Sequence, residues 1–467
     1  MINRKQIFTA GFWIVGAFGL SQLLRLGSNL IVTRLLVPEM FGLMAIVYVV
    51  LYGIAMFSDL GLWAFIVRHK DANNEKLLDT VWTIQVVRGW IMLFVIAVFA
   101  GALIFITKVL DIDIGGVYGD EQLPSLLIIV GLTAMINGYK TMAPAIESRK
   151  LNRGRLEVVD LIAQIFGTSV MLALAWHFRS IWALVAASII ATIVNVALTY
   201  KIFSYRHHLA WNKEIVKEVF AFGKWIFIAS ALTYLAQQGD KLIFASHISA
   251  AELGVYSIAI MLIGAIEGIL EQLNYKIGFP LLCEIVNSSP NKLKEKYYYI
   301  RLRMDLFIFI IIGILIAIAP TIIEFLYDER YSSAGQMMQI LSFSLIGVCM
   351  SKLGLECLSA LNITKIRMKV MLCRFITVFI GLPILFNYYG LLGAIWGVVI
   401  GGVAGLPVQY IEMNKQNIFS LYLEIRVLPM ILVSYILTSL AIDYSGFTLL
   451  IIDLINEIIA LGGFINE

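Results

Sequence analysis

Apolar runs long enough to cross a bilayer fill this sequence from end to end, and they leave no room for a sizeable soluble domain. About 20 mostly apolar residues suffice for a spanning helix. The runs fall at 8–33, 41–66, 80–106, 123–145, 157–177, 181–203, 218–246, 252–278, 299–320, 334–357, 369–387, 391–411, 427–442 and 446–464. They predict an all-α integral membrane protein. Only 14% of residues are charged, against about 25% in soluble domains. Asp453 and Glu457 share one face of the last run, which could instead lie along the interface.

The loops alternate in charge. Arg4 and Lys5 precede the first run, and Arg68, Lys70, Arg149, Lys150, Lys201, Arg206, Lys292, Lys294, Lys365 and Arg367 follow even-numbered ones. The intervening loops hold few cations, and the one with Asp111, Asp113, Asp120 and Glu121 is acidic. By the positive-inside rule both termini are cytoplasmic. Basic residues confined to short loops give nucleic-acid binding no support. Cys283, Cys349, Cys357 and Cys373 show no metal spacing and read as free thiols.

Residues 6–33 form the first span and carry Arg25 deep in apolar sequence. An arginine there costs roughly 2.5–3.5 kcal/mol on insertion scales. Gln22, Arg25 and Asn29 share a helical face, with Ser21 and Ser28 at its edge. That face either lines a wet cavity or packs on another helix with the arginine snorkelling.

The sequence also repeats. LLVPEMFGLMAIVYVV around Gly42 answers HISAAELGVYSIAIML around Gly254, and SRKLNRGRLEVVDLIAQIFG answers NITKIRMKVMLCRFITVFIG at nearly the same offset. Helices 1–6 and 7–12 then form parallel halves, a transporter architecture with substrate between them. The expected division is an N-lobe at 1–210, a C-lobe at 211–415 and accessory helices at 416–467.

With RLLVPEMFGLMAIV, SDLG and DKLIFASHISAAELGVYSIA, residues 1–415 resemble the polysaccharide transporters of the multidrug/oligosaccharidyl-lipid/polysaccharide exporter superfamily. The resemblance implies two pseudo-symmetric six-helix lobes around a central cavity, in a bacterial inner membrane. It implies a polyprenyl-pyrophosphate-linked oligosaccharide as cargo, turned from the cytoplasmic to the periplasmic leaflet by alternating access. It further implies cavity cations, with Arg25 placed to supply one, and partners among polysaccharide polymerase or assembly proteins. No cofactor, metal or catalytic residue is expected.

Other intramembrane polar residues each have a functional and a structural reading. Asp59 ends a stripe with Tyr48, Tyr52 and Met56, and could pair with Arg88 beside Gln85. Ser230, Tyr234, Gln237 and Lys241 share a face, with Asp240 adjacent; the Asp-Lys pair matches the family pattern and reads as a closure of the outer end. Glu267 and Glu271 lie one turn apart, so both cannot comfortably ionise; they are coupling candidates or partners for Arg25 or Lys352. Arg301 and Arg303 read as interface-snorkelling. Lys352 and Glu356 read as an i, i+4 pair, and Arg374 as a second cavity cation. Asp160 and Gln164 share a face that either packs or meets substrate hydroxyls.

A wet chamber with arginines suits a sugar diphosphate, because guanidinium pairs bidentately with phosphate oxygens. No GxxxxGK[ST] motif is present, so the drive is an ion gradient, the potential or downstream consumption. A multidrug exporter would favour acidic and aromatic cavities, and only Glu267 and Glu271 speak for one. A membrane glycan polymerase needs a large outer loop, which this sequence lacks.

Overall fold

The computed structural model describes residues 4–444 apart from 72–73, 113, 151–153, 204 and 275–277, with side chains of 4–18, 225, 273, 443 and 444 left undescribed. The described residues form helices and no strands, as hydrocarbon demands of a chain that must satisfy its own backbone groups. Ten helices are long and apolar enough to span a membrane, or eleven if one bent pair counts as a span. The expected helix at 446–464 lies outside the described residues. Packing divides the chain into two compact units, Met1–Ile258 and Ala259–Glu467. This division follows contacts, whereas the expected lobes follow the repeat.

The first unit holds α1 (Arg4–Leu35), α2 (Pro38–Phe57), α3 (Leu62–Arg68), α4 (Glu75–Ile104), α5 (Leu123–Gly138), α6 (Ala143–Arg149), α7 (Gly154–Phe178), α8 (Trp182–Ile202), α9 (Lys213–His247) and the start of α10 (Ala250–Leu273). Two expected spans are broken. The run at 41–66 divides at Gly61, whose φ of 62° is left-handed, and Asp59 Oδ1 accepts the Gly61 N–H at 2.8 Å. Glycine adopts that conformation without steric cost. The run at 123–145 bends by 52° between α5 and α6. Asn74 and Asn212 cap α4 and α9 by accepting free N–H groups at their starts.

Small residues set the helix spacing, as is general in membranes. A Cβ on Gly42 would run into the Ala250 carbonyl oxygen, and one on Gly254 into the Pro38 carbonyl oxygen. The starts of α2 and α10 therefore touch backbone to backbone. Gly89 and Gly138 bring α4 and α5 together in the same way. Ile66, Leu77, Val81, Ile146 and Val219 join α3, α4, α6 and α9 in one apolar cluster.

The second unit holds the rest of α10, α11 (Phe279–Ser288), α12 (Leu293–Leu326), α13 (Ala334–Ser342), α14 (Ser344–Ala360), α15 (Lys365–Val403), α16 (Leu406–Lys415), α17 (Leu421–Ile425) and α18 (Pro429–Tyr444). Its core centres on Leu282, Tyr297, Leu353, Cys357, Leu358 and Met413. Gly390, at φ 63°, breaks α15 near the expected boundary between two spans. Pro280 opens α11 and Pro407 opens α16. Both exploit the first turn, where no N–H is needed. Pro320 lies inside α12, against Gly335.

Candidate functional site

On α1, Ser21 and Gln164 of α7 exchange hydrogen bonds, and Ser28 is buried. This is the packed edge of the helix. Arg25 lies beside it, exposed, and its guanidinium donates to Gln22 one turn back. Asn29 is half-buried on the same face. The polar stripe thus divides: Ser21, Ser28 and Gln164 are packing groups, while Arg25 has no carboxylate paired with it among the described residues.

Asp59 and Arg88 do not form the expected direct ion pair. Arg88 donates to the Ala55 carbonyl at 2.7 Å and the Ser58 hydroxyl at 3.0 Å. It caps the end of α2, where carbonyls lack helical partners and a cation is favoured. Asp59 Oδ2 instead accepts from Ser230 of α9 at 3.1 Å. Gln85 donates to the Gly138 and Lys140 carbonyls at 3.0 and 2.8 Å, and so holds the α5–α6 elbow.

Tyr234 is 3% exposed. Its ring fills the space over Gly53 and its hydroxyl donates to the Val49 carbonyl at 3.1 Å. It packs, where a cavity role was expected. Gln237 is exposed on the same helix. Asp240 and Lys241 are not paired with each other: Tyr256 donates to Asp240 Oδ2 at 2.6 Å, and Lys241 donates to Gln238 at 2.8 Å. Consecutive residues point about 100° apart on a helix, so each finds a different neighbour.

In the second unit Lys352 pairs with Glu271, the structural alternative raised for that glutamate. Glu356 is paired with Arg367 at 2.8 Å instead of with Lys352. Glu267 is half-buried. Arg374 is also half-buried, and its Nε is enclosed without a hydrogen-bond partner among the described residues.

Arg301 departs furthest from expectation. It is 1% exposed, with Nε 3.0 Å from Asp305 Oδ2 and Nη2 2.8 Å from Glu424 Oε2. The Glu424 contact is a charge contact out of line for a hydrogen bond. Arg301 also donates to the Tyr297 hydroxyl at 2.7 Å, and Tyr298 donates to Glu424 at 3.0 Å. Snorkelling fails here because α17 closes over the guanidinium. Arg303 does stay exposed, 4.0 Å over the Tyr299 ring. The i, i+4 spacing of Arg301 and Asp305 could have flagged the pair, but nothing local pointed to Glu424.

In the first unit, Phe65, Arg68, His69, Lys70, Asp71 and Phe222 line a recess of about 330 Å³. Arg149 donates to the His69 and Lys70 carbonyls and fixes its rim. His207, in the loop after α8, stacks on Trp82 and accepts the Met142 N–H at Nε2, 3.1 Å away. Burial pushes its pKa below the usual value, against the opposing pull of the Asp79 carboxylate 3.5 Å away. Among the described residues no His, Cys, Asp and Glu cluster could hold a metal.

Ten long apolar helices make this a multi-pass membrane protein, in which irregular backbone at depth survives only where protein or a wet cavity surrounds it. Residues 31–336 match the family model described as polysaccharide biosynthesis protein, and the chain belongs to that family. Over 287 residues it is 18% identical to the teichuronic acid biosynthesis protein TuaB of Bacillus subtilis, covering 61% of this chain and 56% of that one. Over 262 residues it is 21% identical to the succinoglycan biosynthesis transport protein ExoT of Rhizobium meliloti, covering 55% and 50%. The matches thus span about half the length of these curated relatives. Among solved structures, the fold is similar to the lipid II flippase MurJ in an inward closed conformation, with a TM-score of 0.68 at 12% identity over 94% of this chain and 99% of that one. An inward-facing multidrug resistance MATE family transporter matches with a TM-score of 0.63 at 14% identity, over 88% and 95%.

Proposed function

We propose that this chain is a flippase for a polyprenyl-pyrophosphate-linked oligosaccharide in the building of a surface polysaccharide. It moves the headgroup from the cytoplasmic to the periplasmic or outer leaflet by alternating access between lobes at 1–210 and 211–415. Its home is the bacterial cytoplasmic membrane, with both termini inside and with polymerase or assembly proteins as partners. The observation that carries this reading is Arg25, an exposed guanidinium in an apolar span whose contact is the neutral Gln22. A cation held at that depth is costly unless it meets an anion. Arg374, half-buried in the second unit, is a further candidate cavity cation within its own lobe. Arg88, Gln22, Asn29 and Gln237 supply polar lining, and Asp59, Asp240, Lys241 and Glu267 serve gating or coupling. Family membership and the relatives named for polysaccharide biosynthesis and transport support the glycan. The flippase-like fold supports a lipid carrier.

The rival, a cation-coupled multidrug exporter, has the same fold in its favour. Its best acidic candidate, Glu271, is occupied by Lys352. The test is replacement of Arg25 in cells that depend on this gene for a surface glycan. Arg25→Ala should abolish export with the protein still in the membrane, and Arg25→Lys should restore it only in part, because ammonium cannot bind phosphate as a planar fork. Undiminished surface glycan in the alanine variant rules out the diphosphate contact.

A further inference from the structure

Two broken spans of the first unit converge on one small cleft. It has a volume of about 150 Å³, and its lining includes Trp63 of α3, Lys140 of the α5–α6 elbow, Pro144 of α6, and Glu157 and Asp160 of α7. That is below the roughly 300 Å³ of a complete ligand pocket, so it suits one ring of a larger molecule. Its walls are fixed in advance. Asp59 and Gly61 set the break that leads into α3, and Gln85 clamps the elbow through the Gly138 and Lys140 carbonyls.

The chemistry is mixed in a particular way. Trp63 is 48% exposed and offers a flat apolar face. Asp160 Oδ1 accepts from Asn195 of α8 at 2.6 Å and lies 3.9 Å from Lys140 Nζ, too far for a hydrogen bond. Among the described residues both contacts of Asp160 fall on Oδ1, which leaves Oδ2 as an acceptor and the Lys140 ammonium as a donor. The carboxylates of Asp160 and Glu157 disfavour a bare anion, and Lys140 offsets part of their pull on a bare cation. A pyranose meets all three features: its axial C–H face covers an indole, while its hydroxyls donate to a carboxylate and accept from an ammonium. Asp160 disfavours an acidic sugar.

We propose that this cleft is a saccharide subsite that takes one neutral hexopyranose ring, stacked on Trp63 and hydrogen-bonded to Asp160 and Lys140. The inference rests on the flippase reading and assigns its sugar-recognising residues. It also divides the two polar residues of α7: Gln164 packs on α1, and Asp160 meets the glycan.

The test is saturation-transfer difference NMR on the purified full chain in nanodiscs, with methyl glucoside, methyl N-acetylglucosaminide and methyl glucuronide as probes. The neutral glycosides should receive saturation on one ring face, and the glucuronide less. Trp63→Ala and Asp160→Asn should each reduce the effect by about tenfold, equivalent to roughly 1.4 kcal/mol, and Trp63→Phe should retain most of it with an unchanged unfolding temperature. No transfer from wild-type protein to any glycoside, or equal transfer in the alanine and asparagine variants, overturns the subsite. The flippase reading is judged separately, by whether a deletion strain loses its surface glycan.

Discussion

At the scale of single residues, some charges are buried with partners while others, Arg25 among them, lie exposed. Arg301 belongs to the first kind. Removing one member of a buried ion network leaves the others unpaired, at a cost of about 3–5 kcal/mol. Arg301→Met should therefore lower the unfolding temperature of the detergent-purified protein sharply. Adding Asp305→Asn and Glu424→Gln to it should recover most of the loss; additive losses would mean that the three do not act as a unit. His207 supplies a pH dependence. Its Nε2 accepts an N–H, so the folded ring is neutral with its proton on Nδ1 facing Asp79. Because the folded pKa is depressed, folding favours the unprotonated ring. That stabilisation is complete above about 6.5, the unfolded value, and is lost as pH falls through the folded one. Thermal stability should fall as the pH is lowered below about 6.5, and His207→Gln should flatten the slope. An unchanged slope in that variant would clear His207 of the effect. Arg25 was legible in the sequence because a cation in an apolar run stands out. The Glu424 partner of Arg301 and the Ser230 partner of Asp59 were not, because side-chain pairing across these helices joins residues more than a hundred positions apart in sequence.

At the scale of elements, the sequence marks spans well and their breaks poorly. Hydrophobicity runs unbroken through Asp59–Gly61 and through Tyr139–Met142, since a wet or protein-lined break needs only one or two polar residues. The glycines that the repeat equates, Gly42 and Gly254, meet each other's helices with carbonyl oxygens where a Cβ would lie. Backbone cannot yield as a flexible side chain can. Gly42→Ala and Gly254→Ala should therefore each force α2 and α10 apart. Cysteines placed at Met40 and Glu252 should then cross-link more slowly in membranes than in the glycine parent. Equal cross-linking would show that the contact is not held in the membrane. Gly101→Ala, where nothing lies within contact of an added Cβ, is the matched control.

At the scale of the whole molecule, the proposed cargo carries negative charge outward, which an inside-negative potential favours by about 2.3 kcal/mol per charge per 100 mV. Collapsing the potential while keeping the pH gradient should raise the fraction of lipid-linked glycan in the cytoplasmic leaflet. A fraction that does not move would mean that no net charge crosses with the cargo. Transmembrane character was settled by the sequence alone, because a bilayer tests each segment separately for length and apolarity. Charge alternation led to the expected topology, and the motifs around Gly42 and Gly254 to the family resemblance, without reference to contacts. Only the tertiary structure decided which polar residues are spent on packing and which keep a free valence. Tyr234 and Gln164 went to the first group, and Arg25 and Asp160 to the second. The reason is that a polar side chain in hydrocarbon takes any donor or acceptor within reach, and reach is a property of the folded helices.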